Sequence, residues 1–164
     1  MALIIEDGTG VDNSNTYVDD TEYVAYASSR GLTIGGDATA REQELIMSVD
    51  FLESFRAKFK GVKSDGTNSL QYPRSGVYID NVLNASDNIP TELKRAQMEA
   101  AAYQSASQLT SNTVDKNIQS EKLSGLEVSY FYGGKSGSQE LDRINVWLKP
   151  LLKVSASGSI LTRV

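Results

Sequence analysis

The sequence predicts a mainly α fold: a small bundle of about four helices with a β-hairpin, a long loop and an extended C-terminal arm. Four segments space their apolar residues as helices do, and a later segment alternates apolar and polar residues after a Ser-Gly pair. Gly, Asn and Asp are frequent between these segments, as they are in turns. A chain of 164 residues can bury its own core. We therefore expect one helical domain at 1–154 and a C-terminal arm at 155–164.

The first helix is predicted over residues 20–30. A short extended piece at 2–5 and a turn-rich loop precede it. Asp19 and Glu22 have the spacing of a capping box, in which the first side chain accepts a backbone N–H bond of the first helical turn. Gly31 supplies the kind of residue on which helices commonly end.

A second helix is predicted over 39–59, because Thr39 and Glu42 repeat the capping-box spacing. Apolar residues keep helical spacing along this segment. Phe55 and Phe59 lie on its apolar face, which favours burial of both rings over their exposure as a stacking platform.

Residues 61–88 are predicted to form a long irregular region. Loops of this length are uncommon inside a compact domain and are usually functional or ordered by a partner. We therefore take four residues of the region as candidates for a subunit interface: Tyr72, Pro73, Arg74 and Tyr78.

A third helix is predicted from Ile89 and Pro90 to about Leu109, since Pro is favoured at the first helical position. Its many Ala and Ser residues allow another helix to approach closely. That neighbour belongs either to the same chain or to another subunit, and packing within the chain is the favoured interpretation.

A β-hairpin is predicted after the third helix, with Ser124 and Gly125 as the turn between its strands. A fourth helix follows at about 139–149 and contains the single Trp of the chain. Pro150 is expected to end or kink it.

The composition excludes several classes of catalytic and metal site. The chain has no Cys and no His, which rules out disulfides, thiolate or imidazole zinc ligands and a Ser-His-Asp triad. The Gly-Gly-Lys-Ser run at 133–136 lacks P-loop spacing, the Gly-Thr-Gly at 8–10 indicates a turn, and an EF-hand pattern starting at Asp12 fails at Tyr23. A pair of catalytic carboxylates stays open, although no spacing singles out two of the 21 acids. We expect no catalytic residue, no metal, no cofactor and no enzymatic activity.

The charge is unevenly distributed along the chain. A net charge of −5 argues against a protein built mainly to hold nucleic acid. Residues 1–53 carry a net charge of −9 and residues 54–164 a net charge of +4. This polarity suits head-to-tail stacking of subunits or docking on a charged partner, unless the acids are simply solvated. One dense cation cluster is a candidate for contacts with DNA phosphates or an acidic partner: Arg56, Lys58, Lys60 and Lys63.

No segment resembles a signal peptide, and none reaches the roughly 20 apolar residues of a membrane span. We therefore expect a protein without membrane contact that is made in a cytoplasm.

Five stretches of the chain, taken in order, resemble a tailed-bacteriophage family of head–tail connector or adaptor proteins, also catalogued as DnaT-like single-stranded-DNA-binding proteins. The stretches are MALIIEDGTG at 1–10, NTYV at 15–18, YPRSGV at 72–77, IPTELKRAQMEAA at 89–101 and SEKL at 120–123. The resemblance extends from residue 1 to about residue 152.

The resemblance implies a structural virion protein that forms a dodecameric ring under the portal, joins the DNA-filled capsid to the tail and leaves a channel for DNA. Its implied partners are the portal and the tail or neck proteins, and DNA would pass without sequence-specific binding. Its implied location is the head–tail junction, after synthesis in the cytoplasm of the host bacterium. In the arm, four residues are candidates for the portal or tail interface: Ile160, Leu161, Arg163 and Val164. The alternative is a DnaT-like protein that binds single-stranded DNA.

Overall fold

Four α-helices make up most of the part of the chain that the computed structural model describes, which is residues 2–106, 120–123, 126–129 and 138–153. The helices are α1 (Asp20–Arg30), α2 (Ala38–Glu53), α3 (Thr91–Ala106) and α4 (Ser138–Leu148), and a 3-10 turn (Lys149–Leu151) follows α4. The predicted mainly helical fold is confirmed. Within these residues, no helix combines the length and the apolar content that crossing a bilayer requires.

Three pairs of short antiparallel strands accompany the helices in the described residues. They are β1 (Val62–Lys63) with β2 (Arg74–Ser75), β3 (Tyr78–Ile79) with β4 (Val82–Leu83), and β5 (Ser120–Leu123) with β6 (Leu126–Ser129). The last pair confirms the predicted hairpin, with Leu123 opposite Leu126. The predicted turn at 124–125 and the predicted arm at 155–164 lie outside the described residues.

Helix α1 begins and ends at the residues that its sequence signals predict. The Asp19 carboxylate accepts a hydrogen bond from the backbone N–H of Glu22 at 2.7 Å. Gly31 ends the helix with a φ of 63°, a left-handed conformation that favours glycine. Both signals are local in sequence, which explains why this helix could be predicted.

Helix α2 differs from its prediction at both ends. Asp37 caps it, accepting a backbone N–H bond of the first turn at 2.8 Å, so Thr39 lies inside the helix. The helix ends at Glu53, and the chain continues through turns to Phe59, which forms an antiparallel bridge with Leu152. The prediction that α2 reaches residue 59 is wrong because this bridge requires an extended backbone at Phe59.

Helix α3 lies at the centre of the bundle and packs against α1, α2 and α4. Ala96, Ala100 and Ala101 have no exposed surface, and their small side chains let the neighbouring helices approach closely. Packing within the chain therefore accounts for this small-residue run. The larger side chains that fill the core around it include Tyr17, Tyr23, Leu45, Leu52, Phe59, Tyr72, Leu148 and Leu151.

Gln97 is a fully buried polar residue of α3 that joins three parts of the chain. Its Oε1 accepts from the backbone N–H of Tyr17 at 3.0 Å. Its Nε2 donates to the Thr16 hydroxyl at 2.7 Å and to the Leu45 carbonyl at 3.3 Å. The side-chain amide thus connects α3 to α2 and to the segment before α1.

The Gly-Thr-Gly stretch at 8–10 is a turn, as predicted, and it encloses a carboxylate of the same chain. Glu6 is fully buried and accepts backbone N–H bonds from Gly8, Gly10 and Val11, each at 2.9 Å. Gly8 has a φ of 108°, and a Cβ there would lie 1.8 Å from the Asp87 carbonyl oxygen. In a phosphate-binding loop, backbone N–H groups of this kind donate to a nucleotide. Here they donate to the Glu6 carboxylate of the same chain.

Residues 61–88 form a largely irregular region, as predicted, which also contains two short strand pairs. Strands β1 and β2 pair across its first half, and β3 and β4 form a hairpin in its second half. Asp80 and Asn81 join β3 to β4 with φ values of 49° and 66°, the conformation of a tight two-residue hairpin turn. The Tyr72–Pro73 peptide bond is cis.

Candidate nucleic-acid interface

The cations that the sequence groups together lie on the extended segment after α2. Arg56 and Lys58 are exposed, whereas Lys60 and Lys63 are half-buried. The Lys63 ammonium donates to the Asn68 carbonyl at 2.6 Å. Arg56 and Lys58 therefore expose their charges to solvent, with the Lys58 ammonium 5.6 Å from the centroid of the Phe55 ring, and the other two cations also support the fold.

Lys60 joins two distant parts of the chain through its ammonium group. Its Nζ donates to the Pro150 carbonyl at 2.8 Å and to the Tyr78 carbonyl at 3.3 Å. An ammonium group has three donors, so one N–H remains for a further acceptor. The charge of Lys60 is thus held between the 3-10 turn and strand β3.

A second basic segment lies beside the first. The Lys60 N–H donates to the Leu151 carbonyl at 2.9 Å, and the Lys153 N–H donates to the Lys58 carbonyl at 2.7 Å. Lys149 and Lys153 are exposed on this second segment. Residues 54–63 and 149–153 contain six cations and no carboxylate. We call this set the cationic surface: Arg56, Lys58, Lys60, Lys63, Lys149 and Lys153.

The two phenylalanines of the first segment do not form an exposed stacking platform. Phe59 is buried, and its ring meets the Tyr72 ring edge-on with centroids 5.4 Å apart. Phe55 is half-buried against Phe51, also edge-on at 5.4 Å. The sequence interpretation that favours burial of these rings agrees with the structure.

Arg74 anchors the first basic segment from inside the chain. Its guanidinium donates to the carbonyls of Lys60 and Gly61 at 2.8 and 2.9 Å, and to the side chain of Gln71 at 3.0 Å. Only 6% of the residue is exposed. Arg74 therefore positions the backbone of the cationic surface.

The four interface candidates of residues 61–88 separate into two groups. Tyr72, Pro73 and Arg74 are buried in contacts within the chain. Tyr78 is 55% exposed on strand β3. Of these four residues, Tyr78 is the one with surface to offer a partner.

Tyr78 shares one face of the β3–β4 hairpin with Leu83. The two residues are directly opposite in the antiparallel pair, which places their side chains on the same side. Leu83 is 56% exposed, similar to Tyr78. Together they form an exposed aromatic and aliphatic pair next to the cationic surface, because Lys60 binds the Tyr78 carbonyl.

A half-buried carboxylate precedes the first basic segment. Glu53, the last residue of α2, accepts from the Gln71 N–H at 3.0 Å and from the Tyr17 hydroxyl at 3.3 Å. Burial raises the pKa of Glu53, while these hydrogen bonds and the nearby charge of Lys63 lower it by less. Burial, reinforced by the Glu53 charge, also raises the pKa of the Tyr17 hydroxyl well above its usual value.

The structure brings together residues that the sequence left apart. Lys149 and Lys153 carry no local signal for a shared site with Lys58, since only the bridge between distant segments aligns them. The predicted arm contacts Ile160, Leu161, Arg163 and Val164 lie outside the described residues. Within the described residues, no group of three or more acidic side chains is placed to hold a metal ion.

A family model described as "Putative DnaT-like ssDNA binding protein" matches residues 1–164. The chain belongs to this family. A search of curated proteins and a search of solved structures each gave no significant match. The DnaT-like family accounts for the entire length of the chain.

The DnaT-like family match corrects the interpretation as a head–tail connector. The family description names single-stranded DNA binding, which was the alternative, and no comparison supports a connector ring in a virion. The main functional interpretation drawn from the resemblance is therefore wrong. The expected dodecameric connector ring is wrong with it, whereas no comparison tests the expected portal and tail partners or the expected location.

Proposed function

We propose that this chain is a non-catalytic protein that binds single-stranded DNA, and that the cationic surface holds the phosphates of the strand. The observation that carries the proposal is the pairing of residues 58–60 with 151–153, which gathers cations from both segments into one place. The family description supports the choice of single-stranded DNA as the ligand.

The acidic net charge is compatible with this function because the acids are concentrated elsewhere in the sequence. Residues 1–53 carry a net charge of −9, whereas the two segments of the cationic surface contain no acid. Affinity for phosphates depends on the cations in contact with them, and salt screens the more distant charges. We expect a binding constant that is modest at physiological salt and rises steeply as salt is removed.

Within the described part of the chain, four exposed cations of the surface have side chains that make no hydrogen bond: Arg56, Lys58, Lys149 and Lys153. Each phosphate contact with a single strand contributes about −0.7 to the slope of log affinity against log salt. Four contacts therefore predict a slope of about −3. Fluorescence anisotropy of a labelled oligo(dT), titrated with the protein over a range of salt concentrations, measures this slope.

The double variant Lys58→Ala/Lys153→Ala tests the location of the surface. Removing two phosphate contacts should weaken binding and reduce the magnitude of the slope by about 1.4. Lys94→Ala is a control for the loss of a single lysine outside the cationic surface, at a side chain that pairs with Glu22 at 3.3 Å. If the slope of log affinity against log salt were equal for wild type and the double variant, the phosphates would have to bind a different surface of the protein. Absence of binding by wild type at low salt would refute the function itself.

A further inference from the structure

Tyr78 is the most exposed of the tyrosines whose side chains the structure describes. Tyr17, Tyr23, Tyr26 and Tyr72 are buried, and Tyr103 is half-buried. The hydroxyls of Tyr17, Tyr23 and Tyr26 each donate to a carboxylate of this chain. Tyr78 instead presents more than half of its surface to solvent on a short hairpin. Burial of the Tyr78 ring therefore contributes little to the stability of the fold.

The backbone of Tyr78 is fixed to both segments of the cationic surface. Lys60 donates to the Tyr78 carbonyl and to the Pro150 carbonyl from the same ammonium group. Strand β3 also packs against the 3-10 turn that contains Lys149. The exposed Tyr78 ring is thus held next to the cationic surface, close to Lys60 and to the turn that contains Lys149.

The opposite strand supports the ring. Leu83 faces Tyr78 across the hairpin on the same side of the sheet, which limits the directions open to the ring. The tight turn at Asp80 and Asn81 keeps the two strands in register. Asp80 is exposed at the tip, where its carboxylate repels phosphates and favours a strand path on the side of Lys60.

We propose that Tyr78 stacks on a base of the bound strand and makes the cationic surface selective for single-stranded over duplex DNA. The inference rests on the proposed function and adds the residue that recognises the base. Aromatic rings beside cations bind single strands because every unpaired base offers a flat face for stacking. In a duplex that face is covered by the neighbouring base pairs, so the ring has nothing to stack on.

The experiment compares two ligands of equal length and charge, oligo(dT) and an abasic oligodeoxynucleotide, by fluorescence anisotropy. Tyr78→Ala should weaken binding of oligo(dT) about tenfold and leave binding of the abasic strand unchanged. Tyr78→Phe keeps the ring and should bind as wild type does. Tyr78→Leu keeps apolar bulk without an aromatic face and should lose as much affinity as Tyr78→Ala.

Val82→Ala is the matched control, since Val82 is 70% exposed on the same hairpin but pairs with Ile79 on the other face. It should leave both affinities unchanged. A duplex of the same sequence should bind wild type and Tyr78→Ala equally.

Equal losses on the abasic strand and on oligo(dT), or no loss at all, would overturn the role of Tyr78 while leaving the phosphate surface in place. If wild type bound neither strand, the proposed function would fail as well. Circular dichroism and urea unfolding of each variant separate a loss of stacking from a loss of folding.

Discussion

At the scale of single residues, the fold depends on buried polar side chains whose partners come from other parts of the chain. Gln97 joins α3 to two segments through three hydrogen bonds, and Glu6 is enclosed by the amides of its own loop. A buried group that loses its partner costs about 1–3 kcal/mol. These buried polar residues therefore determine which segments of the chain pack together. The exposed cations are not needed for this purpose and are available for binding.

Glu53 is the residue through which we expect pH to act on stability. Burial raises its pKa in the folded chain, so the folded chain holds this proton more tightly than the unfolded chain does. The stability that the proton contributes is present below the ordinary pKa of glutamate and is lost as the pH rises through the raised value. Glu53→Gln cannot lose a proton and keeps an acceptor for the Gln71 N–H. The variant should therefore gain stability relative to wild type as the pH rises above the ordinary pKa of glutamate.

Urea unfolding midpoints of both proteins at several pH values measure this difference. Asp20→Asn is a control of opposite sign, because Arg41 donates to both Asp20 oxygens at 2.6 and 2.8 Å and holds the pKa of Asp20 below its ordinary value. Wild type should lose its advantage over Asp20→Asn as the pH falls below the ordinary pKa of aspartate and through the lowered value. Parallel pH profiles for wild type and Glu53→Gln would contradict the assignment to Glu53.

At the scale of elements, the sequence predicts what is local and misses what depends on distant pairing. Helix α1 could be predicted because its cap at Asp19 and its end at Gly31 lie within the segment itself. The end of α2 could not, because Phe59 is drawn into an extended bridge with Leu152. Amphipathic spacing alone continues the helix through Phe59, and only the tertiary contact ends it earlier.

The candidate site shows the same division. Arg56, Lys58 and their neighbours form a visible cluster because they are close in sequence, whereas Lys153 joins them through the bridge. Tyr72 and Tyr78 belong to the same stretch and look equivalent in sequence. Tyr72 is fully buried with its ring against Phe59, whereas Tyr78 is 55% exposed on β3.

Arg74 links several elements at once, and its loss should loosen the cationic surface. Its guanidinium holds the carbonyls of Lys60 and Gly61 from strand β2. Arg74→Lys keeps the charge, but a lysine lacks the planar fork that reaches both carbonyls. We expect the variant to lose about 2 kcal/mol of unfolding free energy and to bind oligo(dT) more weakly.

Urea unfolding and anisotropy titrations test both effects of this change. Arg56→Lys is the matched control, since Arg56 is exposed and the same substitution there should alter stability by less than about 0.5 kcal/mol. An unfolding midpoint for Arg74→Lys equal to that of wild type would show that the carbonyl contacts do not hold this segment.

At the scale of the whole molecule, the proposed binding surface exists only when the chain is folded. Its two segments are separated by α3 and by more than eighty residues of sequence, and the bridge between Phe59 and Leu152 brings them together. An unfolded chain keeps the same charges but scatters them. The net charge of −5 then opposes phosphate binding, because the six cations are no longer held together.

Oligo(dT) should therefore stabilise the folded chain by selective binding. At a free strand concentration of about ten times Kd, linkage predicts a gain of about 1.4 kcal/mol in unfolding free energy. Urea unfolding with and without the strand measures this gain, and raising the salt concentration should abolish it because the phosphate contacts weaken. The Lys58→Ala/Lys153→Ala variant should gain much less at the same strand concentration, whereas Lys94→Ala should gain as much as wild type. If the double variant were stabilised as strongly as wild type, the strand would have to bind a different surface of the folded chain.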